Sequence, residues 1–253
     1  MKRVGSILLI LLLSIATCGT AAAYPYGAGD AIVQDGLDYI RSCQHDDGGF
    51  AEAGRDTNPG TSWFAVMAIV AAGEDPHNWR VNGTSAIDYW RSAPDATNPE
   101  GTAELGKMVT LVAAAGENPR AFNNHDYVAE LRARMKTDGQ FGDFVYTTYW
   151  GVFGLASAGE DTALPVAWLK KQQNEDGGYG WTAGAESDSD DTAAVIMALV
   201  AAGEPADTPA VARAIDYLGA HQMNDGSFNY GGTSSSNAAS AAWVIQAIAA
   251  TGE

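Results

Sequence analysis

Residues 65 to 74 read AVMAIVAAGE, and the phrase returns four times: KMVTLVAAAGE (107 to 117), VFGLASAGE (152 to 160), VIMALVAAGE (195 to 204) and VIQAIAATGE (244 to 253). Every copy ends in Gly-Glu, with glycines at Gly73, Gly116, Gly159, Gly203 and Gly252, spaced by 43, 43, 44 and 49 residues. An internal period of this length describes one supersecondary unit that cannot bury its apolar face alone, so successive units must stack and share a core. The copies are apolar on almost every face and rich in Ala, which predicts helices enclosed on all sides by other helices. Glycine directly after each is the left-handed residue that stops a helix. These are read as inner helices.

Upstream of each copy lies an amphipathic stretch. In AIVQDGLDYI (31 to 40), Ile32, Val33, Gly36, Leu37 and Ile40 form one stripe, with Asp35, Asp38 and Arg41 opposite. These are read as outer helices, and Thr208 with Pro209 marks the start of the last one. Between outer and inner helices a second phrase recurs: QHDDGGF (44 to 50), KTDGQF (136 to 141), QQNEDGGYGW (172 to 181) and HQMNDGSF (221 to 228). Asp-Gly before an aromatic is turn chemistry, with Gly at a positive backbone angle and Asp bonding its own main chain. The second repeat has Ala93-Pro94-Asp95 instead, so its turn is expected to differ. The units then fall near 30 to 74, 78 to 117, 124 to 160, 162 to 204 and 208 to 253, in one domain spanning 24 to 253.

Lys2 and Arg3, an apolar run from Ile7 to Ala16 and the small residues Ala21-Ala22-Ala23 have the form of a secretory signal peptide over residues 1 to 23. A secreted or cell-surface protein is expected, with lipid anchoring at Cys18 a competing reading of the same segment. Cleavage would remove two positive charges and move the net charge from −17 to −19. Nucleic-acid recognition rests on Lys and Arg neutralising phosphate, so no nucleic-acid partner is expected. Cys43 would be the remaining cysteine, which leaves no intrachain disulfide and predicts a half-buried structural thiol.

A Gln, then Asp-Gly and an aromatic, placed after an outer helix ending in Tyr39-Ile40, Trp168-Leu169 or Tyr217-Leu218, resembles the repeat of the squalene cyclase and protein prenyltransferase families. The resemblance spans residues 30 to 253 and implies an all-α fold, an α/α toroid in which inner and outer helices alternate around a central cavity. The vitamin B12 carriers and the thioester domains of complement proteins are similar in fold. Residues 188 to 193, Asp-Ser-Asp-Asp-Thr-Ala, look like the Asp-x-Asp-Asp-Thr-Ala signature of class II terpene cyclases. That likeness implies that Asp190, flanked by Asp188 and Asp191, would protonate an alkene or epoxide and start a carbocation cascade. Such an acid must keep its proton in a dry pocket, and aromatic faces must shield the cation. The prenyltransferase zinc set of Asp, Cys and His has no counterpart here, and the complement Cys-Gly-Glu-Gln segment is missing. We expect no zinc, no other metal and no cofactor.

The repeats supply an internal control. Aligned on their glycines, Asp191 falls opposite Thr61, Glu104, Thr147 and Ser240, a set read here as helix-capping residues. Asp190 falls opposite Gly60, Ala103, Tyr146 and Ala239 and is the anomaly, although an acid at a helix start also suits the helix dipole. Trp63, Phe64, Tyr146, Tyr149, Trp150, Trp181 and Trp243 cluster at the starts of inner helices or in the turns before them. They are the candidates for an aromatic pocket that takes an apolar or ring-containing small molecule, isoprenoid- or corrinoid-like. The toroids this chain resembles usually close with six helical hairpins and five are counted here, so either the ring stays open or a partner, a second copy or a sixth hairpin closes it. A surface protein or a second copy could associate through its open end. Three readings follow: a ligand-binding protein first, a class II cyclase using Asp190 second, and a surface scaffold or adhesion module whose cavity is filled by its own side chains third.

Overall fold

A computed structural model describes residues 27 to 93, 99 to 231 and 235 to 252. The expected signal peptide, Cys18 and the Pro94-Asp95 turn lie outside the described residues. The described chain forms α1 (Ala31–Ser42), α2 (Pro59–Ala71), a two-residue hairpin of β1 (Arg80–Val81) and β2 (Thr84–Ser85), then α3 (Ala86–Ser92), α4 (Thr102–Ala114), α5 (Tyr127–Ala133), α6 (Val145–Ser157), α7 (Ala163–Lys171), α8 (Ser189–Ala201), α9 (Pro209–Ala220) and α10 (Ala238–Thr251). The odd-numbered helices are outer and the even-numbered inner. Together they make the α/α toroid of five helix pairs that the period predicts.

Each inner helix stops in the same way. Gly73, Gly116, Gly159, Gly203 and Gly252 all take positive φ. In the first four the following Glu donates its N–H five residues back, Glu74 to Ile69, Glu117 to Val112, Glu160 to Leu155 and Glu204 to Leu199, at 2.9 to 3.1 Å. This Schellman closure satisfies carbonyls that would otherwise be orphaned. The same Glu then takes a cation from the last turn of the outer helix of its own pair: Arg41 to Glu74 at 3.3 Å, Arg91 to Glu117, Arg132 to Glu160 at 2.7 Å and Lys170 to Glu204 at 2.5 Å. The Gly-Glu ending is therefore both a stop and a tether.

The Asp-Gly turns join successive pairs. Gly48, Gly139 and Gly177 have positive φ, and a Cβ on them would stand 2.1, 2.5 and 2.5 Å from the backbone oxygens of Ser85, Leu164 and Arg213 in the next pair. No side chain fits there. Gln44 and Gln173 reinforce the joint by donating to Trp79 O at 2.8 Å and Ala210 O at 2.7 Å. In pairs one, three and four the turn is also clasped to its own inner helix, because Phe50, Phe141 and Tyr179 donate their N–H groups to the hydroxyls of Ser62, Thr148 and Thr192 at 2.9 to 3.1 Å. Those hydroxyls are buried and occupy one repeat position.

The inner helices are not all enclosed. Every residue of α6 except Tyr146 and Thr147 is buried, and α8 is buried from Asp191 to Leu199. By contrast, α2 exposes Phe64 and α10 exposes Ile245. The end helices have an inner neighbour on one side only, so the expectation of burial on every face holds for the middle of the stack and fails at its ends. Thr208 does occupy the N-cap position of α9, but its hydroxyl turns back to Pro205 O at 2.9 Å and leaves the helix uncapped by its side chain. Cys43 is half-buried and free.

Candidate functional site

The first turn of α8 carries the three candidate acids. Asp188 is the N-cap: its Oδ1 accepts the N–H of Asp191 at 2.8 Å. Asn58 in α2 and Asn237 in α10 hold the equivalent place and make the same bond at 2.9 and 2.7 Å. This corrects the sequence expectation, which assigned capping to Asp191. Asp191 sits at the third helical position, buried, and the Asp188 N–H that an acid there could accept is taken instead by Tyr179 O at 3.0 Å.

Burial raises the Asp191 carboxyl most, the adjacent Asp188 charge adds to the shift and a hydrogen bond from Tyr149 opposes it, leaving the group pushed up to about 8. Asp188 is itself raised by burial, and the Asp191 N–H works against that. The two buried carboxyls act on each other, which favours a proton held within the pair. Asp190 differs. Burial raises its carboxyl, Ser240 at the start of α10 opposes the shift with a hydrogen bond, and its Oδ1 is buried with no partner among the described residues. A raised carboxyl with one oxygen left unpaired can release a proton to something that enters beside it.

Tyr149 is buried and faces this carboxyl pair; burial and then the Asp191 charge push its phenol up. Tyr146 is half-buried, with its phenol pushed up to about 12 by burial and by Glu104, to which it hydrogen-bonds. Both are thus part of the acid cluster rather than simple apolar lining. The structure brings four other candidates together deeper in the ring. Trp150 on α6 meets Trp63 on α2 at 5.1 Å and Trp243 on α10 at 6.2 Å between ring centroids, and Trp243 meets Phe64 on α2 at 6.2 Å. Neither α2 nor α10 is next to α6 in the inner layer, so these contacts run across the axis. The aromatics fill the ring centre by packing on one another. Trp63 and Trp150 are buried, whereas Phe64 is 49 % exposed. Trp181 stands apart from that set: it is 48 % exposed and lies against Phe144 at 5.1 Å, just before α6.

Sequence reasoning missed Lys107. It lies nine residues before its glycine, the position that Phe64, Trp150 and Trp243 hold in their repeats. Its Nζ stands 4.8 Å over the Trp150 ring, and its carbonyl accepts Trp63 Nε1 at 2.9 Å. The alignment that isolates Asp190 would have found it. Ser240 was read as a cap and serves instead as the partner of Asp190.

A depression of about 580 Å³ lies at the first turn, lined by Ser42, Gln44, His45, Asp46, Asp47, Asp56 and Thr57. It is polar and contains none of the candidate residues. Among the described residues no group of three or more His, Cys, Asp or Glu side chains is placed to hold a metal ion, and no helix is long and apolar enough to cross a membrane.

Comparison with known proteins places this geometry. Residues 93–235 match the family model of the squalene-hopene cyclase C-terminal domain, and residues 13–98 match that of the prenyltransferase alpha-alpha toroid domain. The squalene--hopene cyclase of Bradyrhizobium diazoefficiens is 30% identical over 216 residues, which is 76% of this chain and 29% of that enzyme. The chain therefore spans under a third of that relative's length. Among solved structures, ent-copalyl diphosphate synthase from Streptomyces platensis superposes with a TM-score of 0.60 at 19% identity, over 98% of this chain and 50% of that one. A protein from Actinoplanes superposes with a TM-score of 0.65 at 15% identity, over 99% of this chain and 90% of that one. At these identities the structural likeness is one of fold.

Proposed function

We propose, for a chain that belongs to the squalene-hopene cyclase C-terminal domain family, that the aromatic centre of its toroid binds an apolar or ring-containing molecule, isoprenoid- or corrinoid-like, in an exported protein. The observation that carries this reading is the meeting of Trp63, Phe64, Trp150 and Trp243 from α2, α6 and α10 across the axis. Two of them, Phe64 and Trp243, sit on the end helices and are not fully buried, so they can swing aside without breaking the packed middle of the stack. Indole and phenyl faces then offer a ligand large apolar contacts with few polar demands.

Native mass spectrometry of the exported protein, as purified and after incubation with squalene, short polyprenols and cobalamin, tests this. A retained or added mass without turnover is the expected result. No adduct with any of them removes the reading and favours a scaffold whose centre its own side chains fill. The mass of the exported chain also reports cleavage after Ala23.

A second reading rests on Asp190. Its raised carboxyl and unpartnered Oδ1 lie four residues before Ala194, which holds the position of Phe64, Lys107, Trp150 and Trp243 in α8. Residues four apart share a helix face. Asp190 is thus one turn from the aromatic layer and on its side, the arrangement that protonation of a bound alkene needs. A cyclised product, separated from its isomeric substrate by chromatography, formed by the wild type and lost in Asp190→Asn would establish it; recovery of only uncyclised ligand from both proteins would remove it.

A further inference from the structure

Four of the five inner helices put a large side chain at the position nine residues before the stop glycine: Phe64, Lys107, Trp150 and Trp243. Three are aromatic and one is a cation. Elsewhere Arg41, Arg91, Arg120, Arg132 and Lys170 each pair with a glutamate that closes an inner helix, and Lys171, which has no ion pair among the described residues, is exposed to solvent. Arg213 and Arg134 are held by backbone carbonyls. Lys107 has neither. Among the described residues no carboxylate comes within ion-pair distance of its Nζ, which rests on the face of Trp150 at 4.8 Å.

The neighbouring acid is turned elsewhere. Glu104, one turn earlier on α4, hydrogen-bonds Tyr146 and acts on Lys107 only through space. Burial lowers the Lys107 ammonium and that weak attraction only partly restores it. The cation–π contact keeps a charge tolerable on the indole face but leaves its hydrogen-bond donors unused. In a chain with 31 acidic residues and 14 basic ones, a partly buried ammonium on the Trp150 face without a carboxylate is an unfilled half of a pair.

We propose that Lys107 makes the toroid centre a site for an anionic amphiphile, a molecule with an apolar tail and a carboxylate or phosphate head, the head pairing with Lys107 and the tail lying on Trp63, Trp150 and Trp243. This rests on the reading of the aromatic centre as a ligand site and narrows its ligand. An anion supplies the charge-assisted hydrogen bonds that the protein itself withholds. The same ammonium repels a positive centre, so a carbocation would be destabilised in the layer one turn beyond Asp190. Lys107 is in this way a specificity residue that favours binding of a charged head over cation chemistry.

The test is a tryptophan-fluorescence titration with three probes sharing one tail: decanol, decanoate and decyl phosphate, each below its micelle concentration. We expect the wild type to bind at least one of the two anions tenfold or more tighter than the alcohol, the stronger of them identifying the head. In Lys107→Met, and in Lys107→Gln as a second neutral variant of similar reach, that preference disappears while alcohol binding persists. Equal affinity for all three in the wild type, or a preference that survives in both variants, overturns this inference and leaves the apolar site standing. Failure of all three probes to bind overturns both.

Discussion

At their C-terminal ends the inner helices α2, α4, α6 and α8 are built alike: glycine at positive φ, a Glu N–H closing the last turn, and the Glu carboxylate tied to a cation of the outer helix. At their N-terminal ends they share a position for the cap but not the residues that follow it. Only α8 puts two acids behind its cap, and there the chain carries a buried proton-holding pair and an unpaired carboxyl oxygen. Within one molecule the repeats thus separate what the architecture requires from what it merely permits. A feature present in every copy serves the stack; a feature present in one copy, and costly to bury, calls for another explanation.

Four experiments bear on that contrast, and the largest effect belongs to the joints. Gly177→Ala puts a methyl against Arg213 O at a backbone angle that disfavours it, and should cost about 3 kcal/mol, seen as a fall in Tm of roughly 10 °C. Gly226→Ala, with the same positive φ but no backbone near its added Cβ, should cost about 1 kcal/mol. Equal losses would mean that the turns do not join one pair to the next.

The acid pair should show next, in the pH dependence of stability. Because the folded Asp191 carboxyl is raised to about 8, the folded protein keeps a proton that the unfolded chain releases. Its contribution is complete below pH about 4 and is lost as pH rises towards 8, a decline on the order of a few kcal/mol. Asp191→Asn should flatten the slope in urea titrations, and Asp188→Asn, which keeps the cap geometry used by Asn58 and Asn237, should move its midpoint down. A wild-type stability that climbs over this range would remove the shared proton from the account.

Thr192→Val strips the acceptor from the buried Tyr179 N–H and should cost roughly 1–3 kcal/mol by chemical denaturation. The fifth repeat has Ala241 at that place and carries no such clasp, so Ala241→Val should cost markedly less. The smallest effect is expected at the uniform end. Glu160→Gln loses charged partners on Arg120 and Arg132, whose side chains are 43% and 60% exposed, and should cost under about 1 kcal/mol. A loss as large as that of Gly177→Ala would make the Gly-Glu tether, rather than the turn, the main joint.

Much of the fold is readable from the chain because its signals are local and repeated. Stop glycine, apolar run, Asp-Gly turn and period each need only neighbouring residues, and five copies average out the exceptions. The Glu of Gly-Glu recurs just as plainly, yet its role was not readable: Arg41 and Glu74, or Arg132 and Glu160, are 33 and 28 residues apart and meet only when the pair folds. The assignment of Asp191 as a cap failed for a finer reason. Polar residues suit both the cap and the third helical position, and alignment on a glycine twelve residues away cannot tell which side chain folds onto the backbone.

The sequence alone determined the helical class, the five-unit period, the alternation of inner and outer helices and the singularity of Asp190, because each depends on chemistry within one or two turns of chain. Tertiary structure alone decided that Trp63, Phe64, Trp150 and Trp243 meet, that burial raises the carboxyls of both Asp188 and Asp191, and that Lys107 rests on the Trp150 indole without a carboxylate among the described residues. Those outcomes depend on desolvation and on distances between helices far apart in the chain, and no local pattern encodes either.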